Sequence, residues 1–498
     1  MQERYIATVD LGTSKLALCV ARVVGDNVQI IYYKERPSDG IRYNCVFNPK
    51  RAAAPLRAAI GEAEDELQIK ITQVVVGLPR YDVHQETASA SIERSNPDSL
   101  ISREEITDLR SFALDTYPLS DGNKELIYGA VTQSFATDDL IGSEDDVDGT
   151  TSDTLAGNFK IFVGGKKSFR NIDIMLGDAG VALAQAIFTP TAVGEAVLKK
   201  DEMTNGVALI EMGAGVTSLS IYQGGIMRYY TAIPFGGKNI TADIRLECAF
   251  DDELAENIKL AFGACLPDKL QSMGDKVLQI NDEENGTYEH LGIKYLSEII
   301  TSRAREIVQA MLFRIQESGF ADRLRCGIVL TGGGANLANL ANLIKEESGY
   351  NVRIGFPLAR KFSSDGCPGI GEAEAAASVG MVLEAAVDPT LNCISEVIKT
   401  GEPAQPQEDT KEVAPDPNGQ GNLFEKDDIE TVATKKIVKE PRKRAPKPPK
   451  PAKDPKEDKP SPLNIFWKKF NSVLEKGFDN TLAELYDGMG SDTNNQKQ

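Results

Sequence analysis

Two stretches of the chain, roughly 200 residues apart, carry one pattern of apolar and polar positions. In YIATVDLGTSKLALCVARV (Tyr5 to Val23) an apolar run ends on an acid, crosses a glycine turn and returns as a second apolar run. GVALIEMGAGVTSLSIYQGG (Gly206 to Gly225) repeats this, with Glu211 in the place of Asp10 and Gly213 in that of Gly12. Each copy is followed by a third apolar run, Val28 to Tyr33 and Ile226 to Ile233. Short apolar runs bounded by turn residues predict strands. A repeat this long does not fit a solenoid. It predicts two similar halves, each offering a hairpin to a shared cleft.

The same periodicities organise the rest. A helix is expected over Ala52–Leu67, with Leu56, Ile60, Ala63 and Leu67 on one face, and a strand over Gln73–Leu78. HQETASASIE reads as a strand, and SREEITDLRSFAL as a helix whose Ser102 and Glu105 have capping-box spacing. Strands are expected over Leu126–Phe135 and Phe159–Val163, with the acidic stretch Thr137–Thr154 between them a solvated loop. Helical segments follow from Ser168 to Lys199, and several helix candidates lie between Thr241 and Leu324. RCGIVLTGGGANLANLANLIKEESG predicts a strand, Gly327–Leu330, then Gly332, Gly333 and Gly334, then a helix bearing Leu337, Leu340, Leu343 and Ile344. IPFGGKNITADI sets Gly236 and Gly237 before another helix.

Glycine hairpins of this kind suit phosphate. Without side chains, their backbone N–H groups approach an anion closely. Asp10, Gly12, Thr13, Ser14 and Lys15 would form one side of a clamp, and Gly213, Ala214, Gly215, Val216 and Thr217 the other. The acids Asp10 and Glu211 would meet a hydrated metal ion, Mg2+, through water, not phosphate itself. The alternative is a pair of ordinary hairpins with glycine turns. The strand–Gly-Gly-Gly–helix element, a backbone against which a base or phosphate can lie, favours the clamp.

Composition narrows the classes. A chain of 498 residues is too long for one core. The seven cysteines are scattered with no CxxC pair, which fits a reducing compartment better than a disulfide framework. Two histidines leave little for a histidine metal centre. A net charge of −19 argues against general nucleic-acid binding. The first strand begins near the N-terminus, so no signal peptide is expected, and no apolar run is long enough to span a bilayer.

The order hairpin, second hairpin, IPFGGKNITADI, GIVLTGGGA resembles the superfamily of actin, sugar kinases and heat-shock chaperones. Within it, LAENIKLAFGACL, LSEIITSRAREI and VRIGFPL are similar to the bacterial cell-division family FtsA. The resemblance spans about residues 4 to 385. It implies an α/β, actin-like two-domain fold with duplicated β-β-β-α-β-α cores and an inserted, relocated subdomain. The first core would take residues 1–82 and 166–204, the insert 83–165, the second core 205–240 and 325–388, and a small subdomain 241–324. It further implies ATP as cofactor, with Glu256 and Lys259 flanking ribose and adenine and Gly332 to Gly334 beneath the base. It also implies self-assembly into protofilaments, contacts with other division proteins, and docking of the FtsZ C-terminal peptide near Arg303 and Glu306. A small-molecule kinase needs a carboxylate base on its substrate, and no acid stands out for that role. Glu211 replaces the usual aspartate and is one methylene longer, so at most slow hydrolysis is expected. A pilus-assembly adaptor of related fold is the remaining alternative, and the chain's last segment speaks against it.

Beyond the resemblance the chain changes character. Residues 401–434 hold nine acids and two lysines, and 435–459 hold eleven Lys and Arg against four acids. Such a stretch buries too little apolar surface to fold, so 389–460 is expected to be a disordered linker. Its basic run would be either a solvated spacer or an arm for anionic lipid, at about 1 kcal/mol per basic residue. Residues 461–487 then predict an amphipathic helix capped by Ser461 and Pro462, with 488–498 a tail. Leu463, Phe466, Trp467, Phe470, Val473, Leu474 and Phe478 recur at spacings of three and four beside Lys468 and Lys469. This is the pattern of a helix lying in a membrane interface, and FtsA-like proteins end in one. The implied place is peripheral, on the cytoplasmic side of the inner membrane at the division septum.

Overall fold

The two hairpins form in the same register. Glu3–Leu11 pairs antiparallel with Lys15–Val24, setting Asp10 opposite Ala17. Val207–Met212 pairs with Thr217–Gln223, setting Glu211 opposite Ser218. In each half the acid stands one residue before the end of its strand. The computed structural model describes residues 3–282 and 287–397. The expected linker starts too early: Ile394–Val397 is a strand paired antiparallel with Ile69–Ile71, and Cys393 is fully buried, because Cys393 O accepts from Thr72 N at 3.0 Å and Cys393 N donates to Tyr5 O at 2.7 Å. Residues 398–460 and the terminal segment, with Leu463 to Phe478, lie outside the described residues.

Each hairpin seeds a sheet of the same strand order. In the first, Asn27–Pro37, Lys15–Val24, Glu3–Leu11, Gln73–Gly77 and Ala182–Ile187 lie side by side, with Ser363–Ser364 added at the edge. In the second the order is Ile226–Ile233, Thr217–Gln223, Val207–Met212, Ile328–Thr331 and Val352–Ile354. The first three strands of each sheet run antiparallel and the next two pair parallel. Val207–Met212 is buried along its whole length, which is why it reads as an unbroken apolar run.

The Pro49–Leu67 helix starts earlier than its apolar face predicts. Asn48 caps it by accepting from Arg51 N at 3.1 Å, and Pro49 fills the first turn. Between Ser168 and Lys199, where helical segments are expected, a strand separates two helices. A helix, Lys166–Ala179, stops at Gly180 (φ 88°), and Ala182–Ile187 becomes the fifth strand of the first sheet. Its alanines give no alternation, and only the parallel pairing with Gln73–Gly77 specifies the strand. In the second half the helix after the glycines is Leu340–Ser348, leaving Leu337 outside it.

The insert is a four-stranded antiparallel sheet covered by the helix Arg103–Asp115, with Ser102 accepting from Glu105 N at 3.2 Å. The acidic stretch expected to be a solvated loop is built. It contains Ile141–Gly142 as an edge strand and a short helix, Glu144–Val147, with Val147 fully buried. Arg103 joins it through Asp145 and Asp148 at 2.9 and 3.0 Å. Between the third and fourth strands of the second sheet come the helices Gly237–Cys248, Asp252–Phe262 and Ile293–Glu317 and a small hairpin.

Each half sends a helix against the other half's sheet. Thr189–Val197 packs on the second, where Gly194 lies under the Tyr222 ring. Ala376–Ala385 packs on the first and on Thr189–Val197. Here burial pushes the Glu384 carboxyl up to about 7, with Glu195 adding repulsion and the Thr191 hydroxyl opposing. A carboxyl raised in the folded state favours folding while protonated. That contribution is complete below the unfolded value of 4.5 and is lost as pH rises through about 7. Glu384→Gln is therefore expected to raise unfolding stability at pH 8 by on the order of 1–3 kcal/mol and to leave it unchanged near pH 4. A gap independent of pH in denaturant titrations would show that another group titrates.

Candidate functional site

The two hairpin turns touch. A Cβ added to Gly215 would lie 2.8 Å from the Thr13 side chain, and Lys238 Nζ donates to Thr13 O at 3.1 Å. The first turn is braced from behind by the loop after its sheet's third strand. Ser38 Oγ donates to Gly12 O at 2.7 Å, and Asn44 donates from its N to Thr13 Oγ1 at 3.1 Å and from Nδ2 to Leu11 O at 2.7 Å. The second turn closes on itself, Gly213 N to Val216 O at 2.8 Å, and is held by the next helix through Gly237 N to Gly213 O and Lys238 N to Ala214 O. Gly236 is required there, because a Cβ would sit 2.4 Å from Gly213 O. Beside the turns opens a cavity of about 500 Å³, bounded by Thr13, Gly215, Lys238, Arg42 and Arg51 among others.

Lys15 bonds Glu35 at 2.6 Å and, across to the second half, Glu374 at 2.8 Å. Burial opposes its charge, and the two carboxylates hold it above its ordinary value. Asp10 and Glu211 also meet, through a residue the sequence did not single out. Arg80 Nη2 lies 3.3 Å from Asp10 Oδ1, and Nη1 donates to Glu211 Oε1. Burial disfavours this guanidinium, but Glu211 and Asp10 outweigh it and keep it charged. For Glu211, burial pushes the carboxyl up and Arg80 pulls it back. The two directions describe one buried ion pair, which an arginine holds ionised. The arrangement expected of these acids, facing a magnesium ion through water, is not the one seen.

The other expected residues fall into groups. Ser14 is exposed on the first turn. Thr217 faces away, its hydroxyl donating to Phe235 O at 2.8 Å. Glu256 and Lys259 stand behind Gly237: Lys259 Nζ contacts Glu256 at 2.7 and 2.9 Å, Thr241 Oγ1 at 2.8 Å and Gly237 O at 3.2 Å. Burial lowers the Lys259 ammonium, and Glu256 partly restores it. Gly332 (φ 82°) and Gly334 press on the second hairpin, where Cβ atoms would meet Met212 O at 2.7 Å and the Met212 side chain at 2.4 Å. A Cβ added at Gly333 would meet nothing closer than Glu374 Oε2, at 3.9 Å. Arg303 and Glu306 are placed elsewhere, on Ile293–Glu317. Arg303 forks onto Asp243 at 2.6 and 3.0 Å and also bonds Glu306. Among the described residues no cluster of three or more His, Cys, Asp or Glu is arranged for a metal. Arg80 and Glu374 were missed because each lies far in sequence from the hairpin it serves, and Lys238 and Thr241, though inside IPFGGKNITADI, because their partners Thr13 and Lys259 come from other elements.

Two sheets of one strand order, each with an acid-bearing hairpin at a shared cleft, define an actin-like protein. Among solved structures, the PilM–PilN type IV pilus biogenesis complex aligns with a TM-score of 0.52 at 17% identity, over 78% of this chain and 99% of that one. That likeness concerns the fold alone. Residues 208–380 match the family profile described as "Cell division protein FtsA". An FtsA of Neisseria meningitidis serogroup B is 28% identical over 359 residues, 72% of this chain and 84% of that protein. One of Borreliella burgdorferi is 29% identical over 360 residues, with 72% and 86% covered. Over about 72% of its length the chain is similar to FtsA cell-division proteins.

Proposed function

We propose that the protein is a division adaptor that binds ATP in the cleft, self-assembles, and tethers FtsZ polymers to the cytoplasmic face of the inner membrane at the septum. The observation carrying the nucleotide part is the pair of glycine turns in one register meeting at Gly215 and Thr13. Lys15, Lys238 and Arg80 bring positive charge to their edges, as a polyphosphate requires. FtsZ would approach the helix Ile293–Glu317, with Arg303, already aligned by Asp243, turned to an acidic peptide group.

Membrane attachment rests on the sequence pattern of 462–478. Each aromatic or leucine side chain buried in the acyl boundary contributes about 1.5–3 kcal/mol, offset by the cost of ordering the segment. One copy then binds weakly, and several copies on one polymer bind firmly through effective concentration. The test is co-sedimentation with anionic liposomes, with and without FtsZ, of the full chain and of Trp467→Glu. The wild type should carry FtsZ down. The variant puts a charge into the acyl boundary and should stay in the supernatant while still binding ATP. Sedimentation of the variant at the wild-type level would reject the segment as the anchor.

A further inference from the structure

Two carboxylates from opposite halves converge on one buried point, and what stands between them is a side chain of this protein. Side-chain exposure is 8% for Arg80, 7% for Glu211 and 17% for Asp10. Two acids so placed need a cation, because burial without one would force a carboxylate to take up a proton. In a phosphate clamp of this kind the expected cation is a divalent metal with its waters. The residues present do not fit one. The oxygens that would face those waters already face a guanidinium, and a fixed positive charge repels a doubly charged ion from the same place.

Arg80 is not a side chain that swings aside easily. It follows the strand Gln73–Gly77 on a short loop pinned from both halves. Leu78 N donates to Ile187 O at 2.8 Å, Thr189 Oγ1 donates to Leu78 O at 3.2 Å, and the Tyr230 hydroxyl of the second sheet donates to Arg80 O. The guanidinium does not lose its proton at any working pH. One donor is left over: the buried Arg80 Nε has no acceptor among the described residues. A buried donor without a partner is costly unless a ligand oxygen completes it.

We propose that Arg80 is the resident cation of this site, so that the nucleotide polyphosphate is held by the guanidinium and the glycine turns without a divalent metal. The proposal rests on the nucleotide reading above. Lys238, reaching Thr13 O, supplies a second positive charge at the hairpin turns. Arginine offers planar, directional donors to phosphate oxygens, so it takes over the bridging that a metal would otherwise perform.

The experiment is calorimetric titration of the full chain with ATP, in millimolar Mg2+ and in excess EDTA. The wild type is expected to bind with the same affinity, within about threefold, in both buffers. Arg80→Met removes the charge at similar length. It should make binding metal-dependent, at least about tenfold tighter with Mg2+ than without. Arg80→Lys keeps the charge and should remain indifferent to EDTA. Wild-type binding that weakens tenfold or more in EDTA overturns the proposal and leaves the nucleotide reading standing. Binding in neither buffer overturns both. An Arg80→Met protein that binds equally in both buffers also overturns the role of Arg80. If that variant fails to fold, the wild-type comparison alone decides.

Discussion

A chain carrying Gly213→Asp and Gly332→Asp together is expected to bind ATP at least about a hundredfold more weakly than wild type, a loss of about 2.8 kcal/mol. The two substitutions act differently. At Gly213 a new Cβ meets only Val216 O, at 3.1 Å, so the turn accepts a side chain with a small shift. What it adds is a carboxylate in the turn that would receive phosphate. Two unit charges 4 Å apart interact by about 4 kcal/mol near a protein surface, which exceeds the loss required. At Gly332 the backbone is left-handed and a Cβ would stand 2.7 Å from Met212 O. Aspartate there strains the strand–turn junction by about 1–3 kcal/mol and pushes on the strand that carries Glu211. The single Gly213→Asp variant separates the two causes: it should lose binding while its melting temperature stays near wild type. ATP titration giving wild-type affinity for the double variant would remove the cleft from consideration.

The duplication was legible because it is local. An acid, a glycine turn and a returning apolar run define a hairpin within some twenty residues, and two copies can be compared without knowing any contact. The strand Ala182–Ile187 was hidden for the opposite reason. Its residues carry no alternation, and its strand character comes from a partner, Gln73–Gly77, about a hundred positions away. The acidic stretch near Asp145 reads as solvated because its counter-charge, Arg103, comes from a helix about forty residues earlier. Arg80 is the sharpest case. In GLPRYDV it is a lone arginine between a proline and a tyrosine, with nothing to set it apart from a surface cation. Its meaning appears only when Asp10 and Glu211 are brought together by the two halves. The glycines show the converse. Gly332 and Gly334 suggest a ligand that they would admit, and the fold uses both to let one turn pack against Met212.

Gly380→Leu should destabilise the fold more than Gly213→Asp does. The helices Thr189–Val197 and Ala376–Ala385 pack so closely that a Cβ on residue 380 would lie 2.4 Å from Ala192 O and 3.0 Å from Val193 N. Those are backbone atoms in a buried helix, so no rotamer change relieves the contact and the helices must part. Overpacking of this kind costs about 1–3 kcal/mol and more where backbone must move. The damage should reach the cleft as well. The turn leading into Ala376–Ala385 supplies Ala373 O, which accepts from Gly332 N at 3.1 Å, and Glu374, which holds Lys15. A helix pushed away at Gly380 therefore draws on both groups at the hairpins, and ATP affinity should fall together with stability. Gly177→Ala is the control. It lies exposed in the helix Lys166–Ala179 with open space around its Cβ, and alanine there should add about 0.5–1 kcal/mol by restricting the unfolded chain. Urea titrations of the two variants should move in opposite directions from wild type. A Gly380→Leu protein as stable as wild type would mean that the two helices are not in contact at that residue, and that the halves are coupled through some other surface.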